Sequence, residues 1–247
     1  MHRLNIDTGF FRKWSSEMAY ILGFVVADGC IIKRKNRKNS YIFNITSKDI
    51  DHLGEIKKFL SWENKIKKKT SGYTGRKDNY FLQSCNREVC EDLISLGIKP
   101  NKTHNLQPID MPRGYFSDFA RGFFDGDGTV FIYKVNGAPQ IKVSFGCASY
   151  VFMKDFNKNL CQDLRIPEKT VHTKNPGPGK NLFLYYTYFY VDDCEKIYRF
   201  MYGNNPSLYL TRKRKVFERW QFVERHSYVK KNYPSKIGWQ LKQKISA

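Results

Sequence analysis

The sequence predicts an α+β protein built from two copies of one αββαββα unit. Three observations carry this reading. A short motif occurs twice, as ILGFVVADGCII (21–32) and ARGFFDGDGTVF (120–131), with its terminal aspartates, Asp28 and Asp127, 99 residues apart. The same order of strand-like and helical segments follows each copy. In both copies an apolar helical segment carries small residues four apart, Gly23 and Ala27, then Gly122 and Gly126, which places each pair on one helix face.

The elements follow in matching order. After Asp28 come two strand-like runs, CIIKRK and SYIFNITS, joined by polar residues. DIDHLGEIKKFL then has helical spacing, with apolar residues at 50, 53, 56, 59 and 60. Two further strands, NKIKKKTSGY and NYFLQSC, and a helix, REVCEDLISLGI, complete the first unit. After Asp127 the order is TVFIYKV, QIKVSFGC, a helix from about Tyr150 to Leu164, KTVHTK, NLFLYYTYFYV and a helix from Asp192 to Tyr202. The last helix of each unit contains a Cys-Glu pair and leads into a basic segment, KPNKTH (99–104) or LTRKRKVF (210–217). A final helix is expected over about Leu210 to Val223, ahead of a Lys-rich tail. The halves divide as 1–108 and 109–247, the second carrying that tail.

Composition bounds the partner. The 247 residues are 41% hydrophobic and 16% aromatic, enough for a real core. The formal charge is +20, split as +8 over residues 1–110 and +12 over 111–247. Both halves are basic, so a polyanion is the expected partner, and nucleic acid is the commonest for a folded chain. No run of about 18 apolar residues is present to cross a membrane, and MHRLNIDTGFFRKW lacks a signal-peptide core. The six cysteines form no CxxC pair, which argues against structural zinc and for reduced thiols. A cytoplasmic, nucleoid-associated protein of bacterial or phage origin is expected.

Small residues four apart let two helix backbones approach closely, and the two copies offer matching faces. The expected assembly is a pseudo-twofold pair with the motif helices packed at the centre. Gly29 and Gly128 are explained as helix C-caps, but the pairs one turn earlier are not. Such packing carries Asp28 and Asp127 to one end of the helix pair. A carboxylate at a helix C-terminus opposes the helix dipole by roughly 0.3–1 kcal/mol, and two facing carboxylates also repel. A divalent cation between them accounts for the arrangement, leaving coordination sites for water and phosphate. An EF-hand does not fit DGDG: its glycine position falls on Val130 and its bidentate glutamate position on Asn136.

With their flanks LGIKPNKTHNLQP (96–108) and YLTRKRKVF (209–217), the motifs ILGFVVADG and ARGFFDGDG resemble those of the LAGLIDADG homing endonucleases in single-chain, two-repeat form. The resemblance covers about residues 15–220. It implies two antiparallel sheets forming a saddle on DNA, motif helices at the centre, and one strand cut by each half. It also implies divalent metal, Mg²⁺ with Mn²⁺ able to substitute and Ca²⁺ supporting binding without efficient cleavage. Asp28 and Asp127 match the metal-binding acids, with Ala27 and Gly126 beside them. Lys102 and Lys213 match the lysines near the scissile phosphates, although Arg212, Arg214 and Lys215 crowd the second assignment. Ser47 matches the polar residue that orders water, and Cys147 fits that place less well. Val26 stands where the second motif has Asp125, a position that is not the metal position.

If the acids point at DNA, strand alternation puts Cys30, Ile32, Arg34 and Asn36 on the same face, with Thr129, Phe131 and Tyr133 in the second half. The second strands add Ser40, Ile42, Asn44 and Thr46, then Lys142 and Ser144. The outer strands add Lys68, Thr70, Asn79, His172 and Lys174. Arg, Asn and Thr suit base edges, and Lys suits phosphates. The connection KRKNRK (33–38) is expected to touch phosphate, and the aromatic LFLYYTYFY (182–190) is read as a core strand rather than a base-stacking platform. The expected activity is a staggered double-strand break with 3′ overhangs in a long asymmetric site, made by a monomer. An RNA maturase acting on its own intron, or a cleavage-inactive DNA-binding regulator, are the alternatives. An intein is disfavoured, since the chain starts at Met1 and lacks a terminal His-Asn.

Overall fold

The computed structural model describes residues 6–34, 40–69, 79–176 and 183–221. The first unit runs α1 (Ser16–Asp28), β1 (Gly29–Lys33), β2 (Tyr41–Ser47), α2 (Ile50–Phe59), β3 (Lys67–Lys68), β4 (Tyr80–Ser84) and α3 (Arg87–Ser95). A single-turn helix, α4 (Lys102–Asn105), follows. The second runs α5 (Phe116–Asp127), β5 (Thr129–Val135), β6 (Ala138–Cys147), α6 (Tyr150–Leu164), β7 (His172–Lys174), β8 (Leu184–Tyr190) and α7 (Val191–Tyr202). Helix α8 (Thr211–Gln221) ends the described chain. The architecture is the expected α+β repeat, with each unit in αββαββα order.

Each unit holds a four-stranded antiparallel sheet, ordered β1-β2-β4-β3 in the first and β5-β6-β8-β7 in the second. The registers correspond: Cys30 pairs with Asn44 and Asn44 with Gln83, while Thr129 pairs with Ser144 and Ser144 with Tyr188. Local chemistry sets the helix starts. Ser15 Oγ accepts the Met18 N–H at 3.1 Å, Asn86 accepts that of Val89, and Ser149 that of Phe152.

Helices α1 and α5 form the centre. From Met18 to Val26 every residue of α1 is buried, as a helix enclosed on all sides requires. A Cβ on Gly23 would run into the Phe119 carbonyl oxygen, and one on Gly122 into the Tyr20 carbonyl oxygen. These reciprocal approaches are why glycine is needed at both positions. The sheets pack one face on the helices through Ile31, Phe43, Ile45 and Leu82, then Ile141, Val143, Phe145 and Phe189, all buried. Full burial of each such side chain contributes roughly 1.5–3 kcal/mol. The other sheet face is left open.

The structure refines three expectations. Gly29 and Gly128 occupy C-cap positions but are extended, with φ of −94° and −72°, so no left-handed conformation is involved. Glycine is required there because a Cβ would lie 2.7 Å from the Val25 carbonyl oxygen or 2.6 Å from that of Phe124. The expected strand over 64–73 is ordered as a strand only at Lys67–Lys68 among the described residues. The last helix spans Thr211–Gln221, and the Lys-rich tail lies outside the described residues.

Candidate active site and nucleic-acid interface

Asp28 is the last residue of α1 and Asp127 the last of α5, so the helix crossing delivers both carboxylates to one end. Both line a cavity of about 470 Å³, together with Ser47, Asp49, Arg212 and Lys213. The interface here is built of small residues. A Cβ on Gly126 would collide with Ala27 Cβ, and Asp28 Oδ2 lies 3.5 Å from that same point, so Asp28 reaches across toward the opposite helix. Asp127 also lines a second cavity of about 700 Å³ with Lys102, Thr103, Cys147 and Lys174. The two acids therefore sit between two cavities, each with its own lysine.

The lysines are buried, and each closes a helix end. Lys213 Nζ donates to the carbonyls of Phe124 (2.6 Å), Asp125 (2.9 Å), Gly126 (3.3 Å) and Gly128 (2.6 Å). Lys102 Nζ donates to the Val26 carbonyl at 2.5 Å. The last turn of a helix leaves carbonyls without N–H partners, and a cation there is favoured by the dipole. Each ammonium thus neutralises the helix end that the adjacent aspartate makes more negative.

The charge states follow from this crowding. Burial, then the negative charge of Asp127, pushes the Asp28 carboxyl up to about 7, against the opposing pull of Lys213 and Lys102. Asp127 is an exposed residue, yet the desolvation of the cleft still raises its carboxyl, opposed by Lys102 and Lys213. Burial lowers both lysines, Lys213 to about 8. Two carboxylates that repel one another in a partly dry cleft are a poor resting state without a cation. The donor set fits a divalent ion in its two hard carboxylates, while the Gly126 carbonyl beside them is already engaged by Lys213. Among the described residues no three His, Cys, Asp or Glu side chains converge, so the remaining ligands would be backbone, water or phosphate.

Asp125 is separate from this pair. It is 1% exposed and its Oδ2 accepts from the Tyr20 hydroxyl (2.7 Å) and the Leu210 N–H (2.7 Å). Burial raises its carboxyl to about 6. Both acids of DGD border the cavity of Asp28, but Asp127 is exposed whereas Asp125 is buried. Ser47 Oγ accepts the Asp49 N–H at 3.1 Å and lines the Asp28 side, while Cys147 makes the matching contact to the Ser149 N–H on the Asp127 side.

The open sheet faces continue from the acids. In the first sheet they carry Cys30, Ile32, Ile42, Asn44 and Thr46, with Phe81 and Gln83 directly opposite on β4. In the second they carry Thr129, Phe131 and Tyr133, then Lys142 and Ser144, then Tyr186, Tyr188 and Tyr190, with His172 and Lys174 at the edge. Lys142 Nζ sits 3.2 Å above the Tyr188 ring.

None of the family models matches the chain, and none of the curated proteins does. Solved structures do. The chain is similar to the LAGLIDADG homing endonuclease I-GzeII in complex with its DNA target, with a TM-score of 0.54 at 13% identity over 94% of this chain and 97% of that one. It is similar to I-SmaMI bound to an uncleaved DNA target in the presence of calcium ions, with a TM-score of 0.55 at 14% identity over 94% and 98%. The chain has the LAGLIDADG homing endonuclease fold. At this identity the likeness concerns the fold, and the side chains must speak for the chemistry.

On the LAGLIDADG frame most of the predicted residues gather. Asp28, Asp127, Ala27, Gly126, Ser47, Lys102 and Lys213 all sit at the two central cavities or the helix ends beside them. Arg34, Ser40 and Asn79 continue the parity of the open face. Lys68 does not: it pairs with Tyr80, whose strand parity is that of the buried Leu82, so Lys67 and Lys69 take the open face instead. Asn36 and Thr70 lie outside the described residues. The aromatic run is also corrected. Thr187 and Phe189 are buried, while Tyr186, Tyr188 and Tyr190 alternate onto the open face. Gln83, Phe81, Gln140 and these tyrosines were missed. Strand pairing, which fixes them, has no local mark in the sequence.

Proposed function

We propose that this chain is a site-specific DNA endonuclease making a staggered double-strand break in a long asymmetric duplex by divalent-metal-dependent phosphodiester hydrolysis. The observation that carries it is the convergence of Asp28 and Asp127 at the end of the α1–α5 pair, each beside a buried lysine and flanked by an open sheet face. Electrostatics supports the same reading, because the acids disfavour their own ionised state until positive charge arrives.

Bound Mg²⁺ would supply Lewis acidity and a water of lowered pKa; Mn²⁺ is expected to substitute, and Ca²⁺ to support binding alone. Asp28 and Asp127 would hold the ion, where the two halves, 1–108 and 109–247, meet. Lys102 and Lys213 keep positive charge against the helix ends, where negative charge grows on the phosphate oxygens. Ser47 presents its hydroxyl to the cavity on the Asp28 side. The open sheet faces carry Asn44, Thr46, Gln83 and Ser144 for base edges, with lysines at the rims for phosphates. Different side chains at matching positions make the target asymmetric, and one chain with internal pseudo-twofold symmetry covers both halves.

The test is selection from a random duplex library with Mg²⁺. Wild type should enrich one long site cut on both strands, and Asp127→Asn should fail to make the double-strand break. Enrichment by binding without any cutting would replace the nuclease with a DNA-binding regulator.

A further inference from the structure

The two sheets share strand order and register, yet their open faces differ in chemistry. Where the first has Gln83, the second has Tyr188; Phe81 corresponds to Tyr186, Lys67 to His172, and Ile32 to Phe131. Because the fold is the same, folding does not account for the difference. Phe131 and Tyr190 are 43% and 47% exposed and Tyr186 and Tyr188 half-buried, so the second face presents a row of rings where the first presents the aliphatic Ile32, itself 46% exposed, and the ring of Phe81. The partner is a polyanion: Lys142 and Lys174 share the face, and the chain carries +20.

The arrangement of the rings decides how they are used. The Lys142 ammonium covers the face of Tyr188. His172 stacks on Tyr186 at 5.7 Å and 22°, and Tyr186 leans against Tyr188 at 4.8 Å and 57°. A platform for unpaired bases needs free ring faces lying along the sheet. Here Lys142 occupies a face of Tyr188, His172 stacks on Tyr186, and Phe131 leans against Tyr133 at 50°, so these rings do not form one free, coplanar stacking surface. On duplex DNA the apolar group at the major-groove base edge is the 5-methyl of thymine.

We propose that the second sheet reads its half-site largely through thymine methyl groups, whereas the first relies more on hydrogen bonds from Asn44, Thr46 and Gln83. This rests on the DNA endonuclease reading above. The proposal makes Phe131, Tyr186, Tyr188 and Tyr190 specificity-determining residues of one half alone.

The experiment uses the full chain and its selected duplex in Ca²⁺. Each thymine is replaced singly by deoxyuridine, which removes the methyl and leaves every hydrogen-bonding group. Binding should weaken about fourfold per contacted methyl, at more positions in one half-site than in the other. Phe131→Ser and Tyr190→Ser, both at exposed positions, should abolish part of that sensitivity in the same half and leave the other half unchanged. A bound duplex that tolerates deoxyuridine throughout, or equally in both halves, overturns the proposal while leaving the endonuclease reading in place. Tighter binding of an unpaired pyrimidine oligomer than of the duplex overturns it in favour of stacking. Failure to select any duplex removes the endonuclease reading itself, and the proposal with it.

Discussion

The Tyr20 hydroxyl donates a 2.7 Å hydrogen bond to Oδ2 of Asp125, tying the first motif helix to an acid of the second. The same oxygen accepts the Leu210 N–H at the entrance to α8, the helix that carries Lys213. Tyr20→Phe removes one of two donors from a buried carboxylate. We expect it to cost about 1–3 kcal/mol in urea unfolding, and an unchanged midpoint would contradict the assignment.

His52 shares this network, its Nε2 lying 3.0 Å from the Tyr20 oxygen. Because Tyr20 donates to Asp125, His52 acts as the donor through Nε2. Burial pushes its pKa down to about 4, below the roughly 6.5 of an unfolded histidine. The unfolded chain therefore takes up the proton first. Stability from neutral His52 is complete above about pH 6.5 and is lost as pH falls toward 4, by up to about 3 kcal/mol. The raised carboxyls of Asp28 and Asp125 titrate in overlapping windows with the opposite sign, so the comparison must be with His52→Gln. The stability gap between wild type and variant should narrow as pH falls through that range.

Asp28 predicts a metal linkage. Its folded pKa is raised to about 7, so the stability of its protonated form is present below the unfolded value and is lost as pH rises through 7. Above that pH, in chelator, Asp28→Asn should melt at a higher temperature than wild type. Added Mg²⁺ should raise the wild-type melting temperature and leave the variant nearly unmoved. Equal responses to Mg²⁺ would mean that Asp28 does not hold the ion.

The helix crossing depends on Gly23 and Gly122. Gly122→Ala places a methyl against the Tyr20 carbonyl, backbone that cannot swing aside. A loss of about 1–3 kcal/mol or more is expected in chemical unfolding. Gly54→Ala, at a position with open space around it, serves as the control and should be neutral or better.

The lysines should differ in their structural weight. Lys213→Met leaves four carbonyls without their shared donor, whereas Lys102→Met leaves one. Lys213→Met should therefore lower the melting temperature more than Lys102→Met. Comparable losses would show that the multiple contacts of Lys213 add nothing.

The repeat was readable because its motif and order of elements recur at nearly constant offset. The helix crossing was readable because small residues four apart have few other uses. Sheet faces were readable wherever β-branched and polar residues alternate, as in YIFNITS. Where alternation is hidden, the reading failed. Tyrosine is both apolar and polar, so LYYTYFY shows no period of two, although every second residue faces out. Lys67 and Lys68 form a two-residue strand of identical side chains, and only pairing with β4 says which one faces the open side. The buried network of Asp125 had no local mark either, because its partners, Tyr20 and Leu210, lie 105 and 85 residues away in sequence.

The most direct test is strand-resolved cleavage of the selected duplex with Mg²⁺ by wild type, Asp28→Asn and Asp127→Asn, each also assayed for binding in Ca²⁺. The account predicts that all three bind, that wild type cuts both strands, and that neither variant completes the double-strand break. Full double-strand cleavage by either variant would show that the two converging carboxylates are not the metal site.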